Sequence, residues 1–318
     1  MKKITFLKKW TESFDDIKAK KILEDYRIRF GNEYNVIFEH CTAYVNKLIK
    51  DKKYKALILK TNSINLALLK NDRIYIFLPE MNPVEFDKLY RDTIESGIKL
   101  SIRDVSREYL NINNFYLSSK YNSKVLVHSS EEAIISTHKI SKTRGKEYDN
   151  LRNTTNRMER IQNVQYSSPY MDNYKEIKGL CENWIKTQGL KYVSDRRETD
   201  LEYVGFFLKN IDDERFVSRT VYVNGNLCGL ALIEIVRPGF GVYIINKCLN
   251  GYDIEGKIYG ISGLSKYLYY KTCKELSEKG INFLNNGSLG TEKGTREAKM
   301  SLYPLETYLE SYQIDYGF

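Results

Sequence analysis

The stretch FVSRTVYVNGNLCGLALIEIV, Phe216 to Val236, decides the fold. Apolar and β-branched residues fill two runs, Phe216 to Val223 and Leu227 to Val236, as strands require. Asn224-Gly225 between them supplies the two residues that tolerate the left-handed backbone of a tight hairpin turn. Outward from this hairpin, Pro238-Gly239 turns the chain into a third run, Val242 to Cys248. A glycine-bearing loop, Leu249 to Gly263, leads to a helix ending near Lys279, with Leu264, Leu268, Cys273 and Leu276 on its inner face. Gly280 stops that helix, and Ile281 to Leu284 reads as the next strand. Two helical patterns precede the hairpin, one through Tyr174, Ile177, Cys181, Trp184 and Ile185, the other through Leu201, Val204, Phe207 and Leu208.

The first half repeats this order. Helical patterns run through Phe14, Ile17, Ile22 and Tyr26, and again from Tyr34 to Leu48. Strand runs follow at Ala56–Leu59, Ile64–Leu69 and Arg73–Leu78, the last two joined by the turn Lys70-Asn71-Asp72. Pro79 and Pro83 end the strand and open a helix from about Val84 to Glu95, whose inner face is Phe86, Leu89, Tyr90 and Ile94. Lys99–Ile102 and Val125–Val127 are further strand candidates. The fold class predicted is α/β (α+β), with two domains, 1–130 and 166–318. Each is a mixed, mostly antiparallel sheet flanked by helices. A basic helix within 131–165 links them.

A length of 318 residues suits two such domains, and 42% hydrophobic with 13% aromatic residues can fill their cores. A disordered chain is excluded. Fifty Lys+Arg against 41 Asp+Glu leave a net charge of +9. That excess suits a polyanionic partner, and equally a solvated lysine-rich surface. The five cysteines (41, 181, 228, 248 and 273) and three histidines (40, 128 and 138) form no metal or disulfide spacing. Reduced, buried thiols with no bridge and no metal are expected. The sequence shows neither a signal-peptide pattern nor a run of about 18 apolar residues, so the expectation is a cytoplasmic protein without an integral membrane segment.

Two basic blocks stand out. HKISKTRGKEYDNLRNTTNRMERIQN, His138 to Asn163, holds seven Lys/Arg residues and reads as a helix with Tyr148, Leu151, Thr155, Met158 and Ile161 inside. LGTEKGTREAKMSLYP spans Leu289 to Pro304. The second block resembles the C-terminal signature of the phosphatidylglycerol lysyltransferase C-terminal-like family, through Leu289, Gly290, Gly294, Arg296, Lys299 and Pro304. It has one extra residue in the Gly290–Gly294 loop, and Glu297 where a basic residue is usual. Arg152, Asn153 and Asn156 of the first block fit the same family's Arg-Asn-x-x-Asn core. The resemblance implies tandem GNAT-like domains related to Fem-type aminoacyltransferases. It also implies transfer of an acyl or aminoacyl group from a phosphate-rich donor, aminoacyl-tRNA or acyl-coenzyme A, to an amine or hydroxyl acceptor. Lipid-modifying members carry a long transmembrane region ahead of this module.

Phosphate-rich donors call for charge-assisted hydrogen bonds from Lys and Arg. Candidate binding residues are therefore Lys142, Arg144, Lys146, Arg152 and Asn156 in the first block, and Lys293, Arg296 and Lys299 in the second. For Arg152, Arg296 and Lys299 a shared anion-binding cleft is expected. The competing reading is surface charge and structural ion pairs. Asn285 and Asn286 follow a strand and could hold a carbonyl or an amine, although Asn-Gly at 286–287 is first of all a turn signal. Glu255 to Ser265 contains Gly256, Gly260 and Gly263 but no clean copy of the GNAT pyrophosphate loop, which points away from ordinary acetyl-coenzyme A use. No tightly bound cofactor is expected, and no catalytic residue is assigned. Direct aminolysis needs no covalent intermediate, and Glu234 or Asp253 could serve as base. The alternatives are a non-catalytic nucleic-acid or polyanion-binding module, and an inactive GNAT scaffold working through protein partners.

Overall fold

The computed structural model describes residues 2–13, 18, 21–22, 24–25, 41–77, 79–187, 195–254, 256–289, 297, 299–300 and 307–317. The chain divides into two compact units, Met1–Glu132 with Leu309–Phe318, and Ala133–Tyr308.

The first unit contains α1 (Lys2–Trp10), β1 (Thr11–Ser13), α2 (Thr42–Lys50), β2 (Lys55–Lys60), β3 (Ile64–Lys70), β4 (Arg73–Phe77), α3 (Pro83–Ser96), β5 (Lys99–Ser106) and α4 (Arg107–Ile112). Most of β6 (Ser123–Ser136) and of β14 (Thr307–Tyr316) also belongs to it. β1 to β4 form an antiparallel meander, β4 and β5 are parallel, and β14 lies antiparallel to β5. The parallel step needs a crossover, and α3 provides it. Its start carries the signals read from sequence. Asn82 Oδ1 accepts the Glu85 N–H at 2.9 Å, Pro83 occupies the first turn, and Gly97 closes the helix at φ 71°. Phe86 anchors the core beneath it, with Tyr116, Tyr121 and Tyr316 rings 4.7, 5.0 and 5.3 Å away in edge-on contacts.

The second unit contains α5 (Thr137–Lys142), α6 (Asp149–Glu159), β7 (Val164–Ser167), α7 (Tyr174–Thr187), α8 (Asp195–Lys209), β8 (Phe216–Val223), β9 (Asn226–Arg237), β10 (Phe240–Cys248), β11 (Asn250–Ile254), β12 (Lys257–Gly260), α9 (Leu264–Glu278) and β13 (Phe283–Ser288). Its sheet runs β7-β8-β9-β10-β13. The β8–β9 hairpin turns at Asn224-Gly225, both at positive φ, as the sequence requires. β10 and β13 are parallel, with α9 as their crossover. One sheet face packs against α5, α6 and α9 through Val217, Val221, Ile233, Tyr243, Leu268 and Leu284. On the other face Phe216 meets Phe206 and Phe207 of α8, and Lys247 meets Trp184 of α7. Both units thus follow the GNAT-like order of a meander, a crossover helix and a parallel strand.

Several expectations need correction. The basic segment is not one helix. Thr143 and Gly145 take positive φ, so α5 ends at Lys142 and α6 restarts at Asp149. Nor is it a linker, because Ile140, Tyr148, Leu151 and Met158 are core residues of the second unit. The final strand belongs with the first unit rather than with a 166–318 domain, since Ser311–Tyr316 pair with Leu100–Ser106. Asn285-Asn286-Gly287 lie within β13, not in a turn. The loop after β10 forms its own hairpin, β11–β12. The helices expected near Phe14–Tyr26 and from Tyr34 lie largely outside the described residues. The later part of the second pattern is α2.

Candidate functional site

The second unit is built around a fork. β10 and β13 pair in parallel only through Phe240↔Phe283, Gly241↔Leu284 and Val242↔Asn285, yet both strands continue beyond. A register shift between Tyr243 and Ile245 on the β9 side bends β10 at the same level. In an open α/β sheet, the place where parallel strands part at their carboxyl ends is where ligands reach the backbone.

Asn285 is the last residue of β13 paired with β10 and is fully buried. Its Oδ1 accepts the Gly287 N–H at 2.7 Å, which fixes the amide plane and makes Nδ2 the donor end. Lys299 caps the same strand end, its ammonium donating to the carbonyls of Asn286 at 2.8 Å and Ser288 at 2.6 Å. Two strands across in register, through Val242, stands Glu234, buried at 3% exposure. The row Phe216, Glu234, Val242, Asn285 therefore crosses four strands at the fork.

The other candidate cations gather elsewhere. Arg152 of α6 donates from Nη1 to the Thr143 carbonyl at 2.6 Å and the Gly145 carbonyl at 3.4 Å, and from Nη2 to Asp149. It braces the loop that carries Arg144 and Lys146. Lys142, Arg144, Lys146 and Asn156 are exposed. No hydrogen bond among the described residues joins this group to Asn285, Asn286 and Lys299. Lys293 and Arg296 lie outside the described residues, and with Arg296 one of the three residues of the expected cleft. Asp253 sits in β11 opposite Ile258.

The N-terminus of α9, equivalent to the GNAT pyrophosphate loop whose motif is not intact here, is occupied by the chain's own polar groups. Asn250 Oδ1 accepts the Ser265 N–H at 2.9 Å, and Lys266 donates to Asn150 Oδ1 at 3.1 Å. Burial lowers the Lys266 pKa. Arg157 donates to the Ser262 carbonyl at 2.6 Å. Gly263, at φ 92°, lets α6 approach, since a Cβ there would fall 2.6 Å from Thr154 Cγ2.

Sequence reasoning missed one polar pair on the α7/α8 side of the sheet. Lys247 of β10 is buried, 2.8 Å from Asp200 of α8, with its ammonium 3.5 Å from the Trp184 ring centroid. A lysine in an apolar strand was the available signal, but its partners lie on separate helices. The described cysteines are all buried and unbridged, and burial pushes the Cys181 thiol up to about 12.

The model of the phosphatidylglycerol lysyltransferase C-terminal family matches residues 86–318. The chain belongs to that family. The match takes in the whole of the second unit and its fork. No curated protein matches the sequence. Among solved structures, a conserved protein of unknown function from Bacteroides thetaiotaomicron aligns with a TM-score of 0.75 at 14% identity, over 96% of this chain and 99% of that one. L-PGS from Bacillus licheniformis aligns with a TM-score of 0.60 at 14% identity, over 96% and 92%. The C-terminal domain of a putative lysylphosphatidylglycerol synthetase from Agrobacterium fabrum gives 0.62 at 10% identity, over 94% and 93%. At these identities the likeness is one of fold. Among the described residues, no helix of this family member is long and apolar enough to cross a membrane, and no cluster of potential metal ligands occurs.

Proposed function

We propose that the second unit transfers an aminoacyl or acyl group from a phosphate-rich donor to an amine or hydroxyl acceptor. The single observation that carries this reading is the fork between β10 and β13, with the buried Asn285 amide at its apex. Family membership over the same residues supports it.

In such a reaction the acceptor oxygen or nitrogen attacks the donor carbonyl. The new bond forms as the ester or thioester bond breaks, and the leaving group takes up the proton that the nucleophile gives up. Asn285 Nδ2 would donate to the carbonyl oxygen as its charge develops, a contribution commonly worth about 3–4 kcal/mol. The Lys299 ammonium adds positive charge at the same strand end. No covalent intermediate and no tightly held cofactor enters.

Aminoacyl-tRNA is the donor this reading favours over acyl-coenzyme A. Asn250 already takes an α9 N-terminal amide that a pyrophosphate would use. The exposed Lys142, Arg144 and Lys146 offer cations to a nucleic-acid backbone. The same exposure favours the second reading, a polyanion-binding module without catalysis.

The test incubates the full chain with labelled lysyl- or alanyl-tRNA and three acceptors in turn: phosphatidylglycerol vesicles, hydroxylamine and a free amino acid. Label appearing in an acceptor, and falling at least tenfold with Asn285→Ala, supports transfer. Retention of tRNA with no product in any acceptor supports the binding module.

A further inference from the structure

We infer that a cavity beside the first turn of α3 binds an organic phosphomonoester of about nucleotide size, its phosphate held by Lys60 and Lys88. The cavity lies in the first unit, away from the β10–β13 fork, and its occupancy is independent of transfer.

Three elements converge there. α1 ends in Trp10, β2 ends in Lys60 and turns through Asn62, and Asn82 caps the start of α3. They bound a cavity of about 880 Å³, a volume in the range of small-molecule sites. Trp10 is buried at its base, and its indole Nε1 donates to Asp92 at 2.6 Å, which holds the ring in place. Glu85 Oε1 accepts the Asn62 N–H at 2.7 Å and so ties the β2–β3 turn to α3. Val84, exposed at 79%, gives the rim an apolar edge. Hydrogen bonds within the chain thus shape the walls and leave the space between them open.

Charge names the ligand. Lys60 and Lys88 line the cavity from separate elements, and neither forms an ion pair among the described residues. Lys60 spends one of its three donors on the Lys8 carbonyl at 2.9 Å, and Lys88 stands 5.9 Å from the centre of the Trp10 ring. The nearby acids are committed elsewhere. Asp92 pairs with Lys9 at 2.5 Å, and the second oxygen of Glu85 is sealed from solvent. The start of α3 adds little, because Asn82 takes the Glu85 and Phe86 N–H groups and Pro83 has none. That same bond to Glu85 uses Asn82 Oδ1 and leaves its amide nitrogen as a donor. Lysine ammoniums are compact, strongly hydrated charges that suit phosphate oxygens. A phosphate group alone would fill a small part of the cavity, so the ligand carries a body that reaches the Asn62 and Asn82 amides and the Val84 edge. A concave site suits a small molecule, whereas a nucleic-acid strand needs a track of cations and stacking rings.

The experiment is calorimetric titration of the full chain at fixed ionic strength with four probes: adenosine 5′-monophosphate, glucose 6-phosphate, inorganic phosphate and uncharged adenosine. One or both organic phosphates should bind with a submillimolar dissociation constant, and adenosine should show no saturable binding. Lys60→Gln and Lys88→Gln should each weaken that binding about tenfold, the scale of one charged hydrogen bond. Lys274→Gln, an exposed change on α9 of the second unit, should leave it unaltered. Lys60 and Lys88 are exposed, and melts within a few degrees of wild type check that their variants fold. Absence of binding by both organic phosphates overturns the inference, as does binding that survives both substitutions. Inorganic phosphate binding as tightly as the organic phosphates would also overturn it, by showing that the walls read no ligand body. Weaker tRNA retention by the two variants, with no small phosphate bound by wild type, would assign the lysines to a nucleic-acid surface instead.

Discussion

Arg152 and Thr143 are joined by a 2.6 Å hydrogen bond from guanidinium Nη1 to the backbone carbonyl. The bond crosses the break between α5 and α6, where Thr143 stands at φ 45°. Arg152 is thereby a brace for the loop that presents Arg144 and Lys146. Arg152→Ala should lower stability by about 1 kcal/mol, the usual net value of such a bond, read from denaturant unfolding. Arg152→Lys should not restore it, because a point charge cannot serve Thr143 and Asp149 at once as the planar fork does.

Glu275 of α9 holds Arg219 of β8 through Nε at 2.6 Å and also through Nη2, and it accepts a bond from Tyr166 at 2.9 Å. Burial alone would raise its pKa, but the bonds from Arg219 and Lys279 outweigh it and hold the carboxyl at about 2, below the ordinary 4.5. A folded-state value below the unfolded one means stability that is present above about pH 4.5 and lost as pH falls toward 2. Glu275→Gln should therefore be less stable than wild type by about 2–4 kcal/mol near neutrality, leaving Arg219 buried without its partner. The gap should narrow as the pH of the unfolding experiment drops from 5 to 3.

Gly260 ends β12 at φ 67°, where an added Cβ would lie 1.6 Å from the Leu249 carbonyl oxygen. Gly260→Ala should cost more than about 2 kcal/mol, since backbone rather than a flexible side chain must give way. Gly256, with open space around its Cβ position, is the control. Substitution there carries only the strain of its positive φ, and a melt comparing the two should separate them clearly.

Phe86→Ala should remove about 3–5 kcal/mol by opening a cavity among Tyr116, Tyr121 and Tyr316. Because Phe86 is a core residue of the first unit, near-ultraviolet circular dichroism of its tyrosines should report the loss.

The elements whose signals are local were readable from sequence. Asn224-Gly225 turns where it should, Asn82-Pro83 opens α3, and the Leu264–Leu276 stripe faces inward. The misreadings have non-local causes. Thr143 is a threonine in the left-handed region, which no propensity anticipates, and it split the expected helix. Asn286-Gly287 carries a turn signal, yet both residues continue strand β13 beyond its pairing with β10. At the site, Asn285, Asn286 and Lys299 were named, and the structure brings Lys299 onto Asn286. The Glu234 row and the Lys247–Asp200 pair depend on strand register and on helices far apart in the chain. Clustered tyrosines gave no sign of the aromatic packing around Phe86.

The pairing of β14 with β5 sets a timetable for synthesis. The first unit leaves the ribosome early but lacks the strand that lies beside β5, and roughly 200 residues must be translated before that strand emerges. At ordinary elongation rates of about 5–20 residues per second this is about 10–40 s. During that interval the β5 edge stands open, with backbone donors and acceptors awaiting a partner. The second unit, contiguous from Ala133 to Tyr308, is released whole before the first can close. The nascent chain thus matures in reverse of its reading order. A chaperone or any stray strand has its opportunity at Leu100–Ser106, and stalling before β14 is made would leave the first unit unfinished.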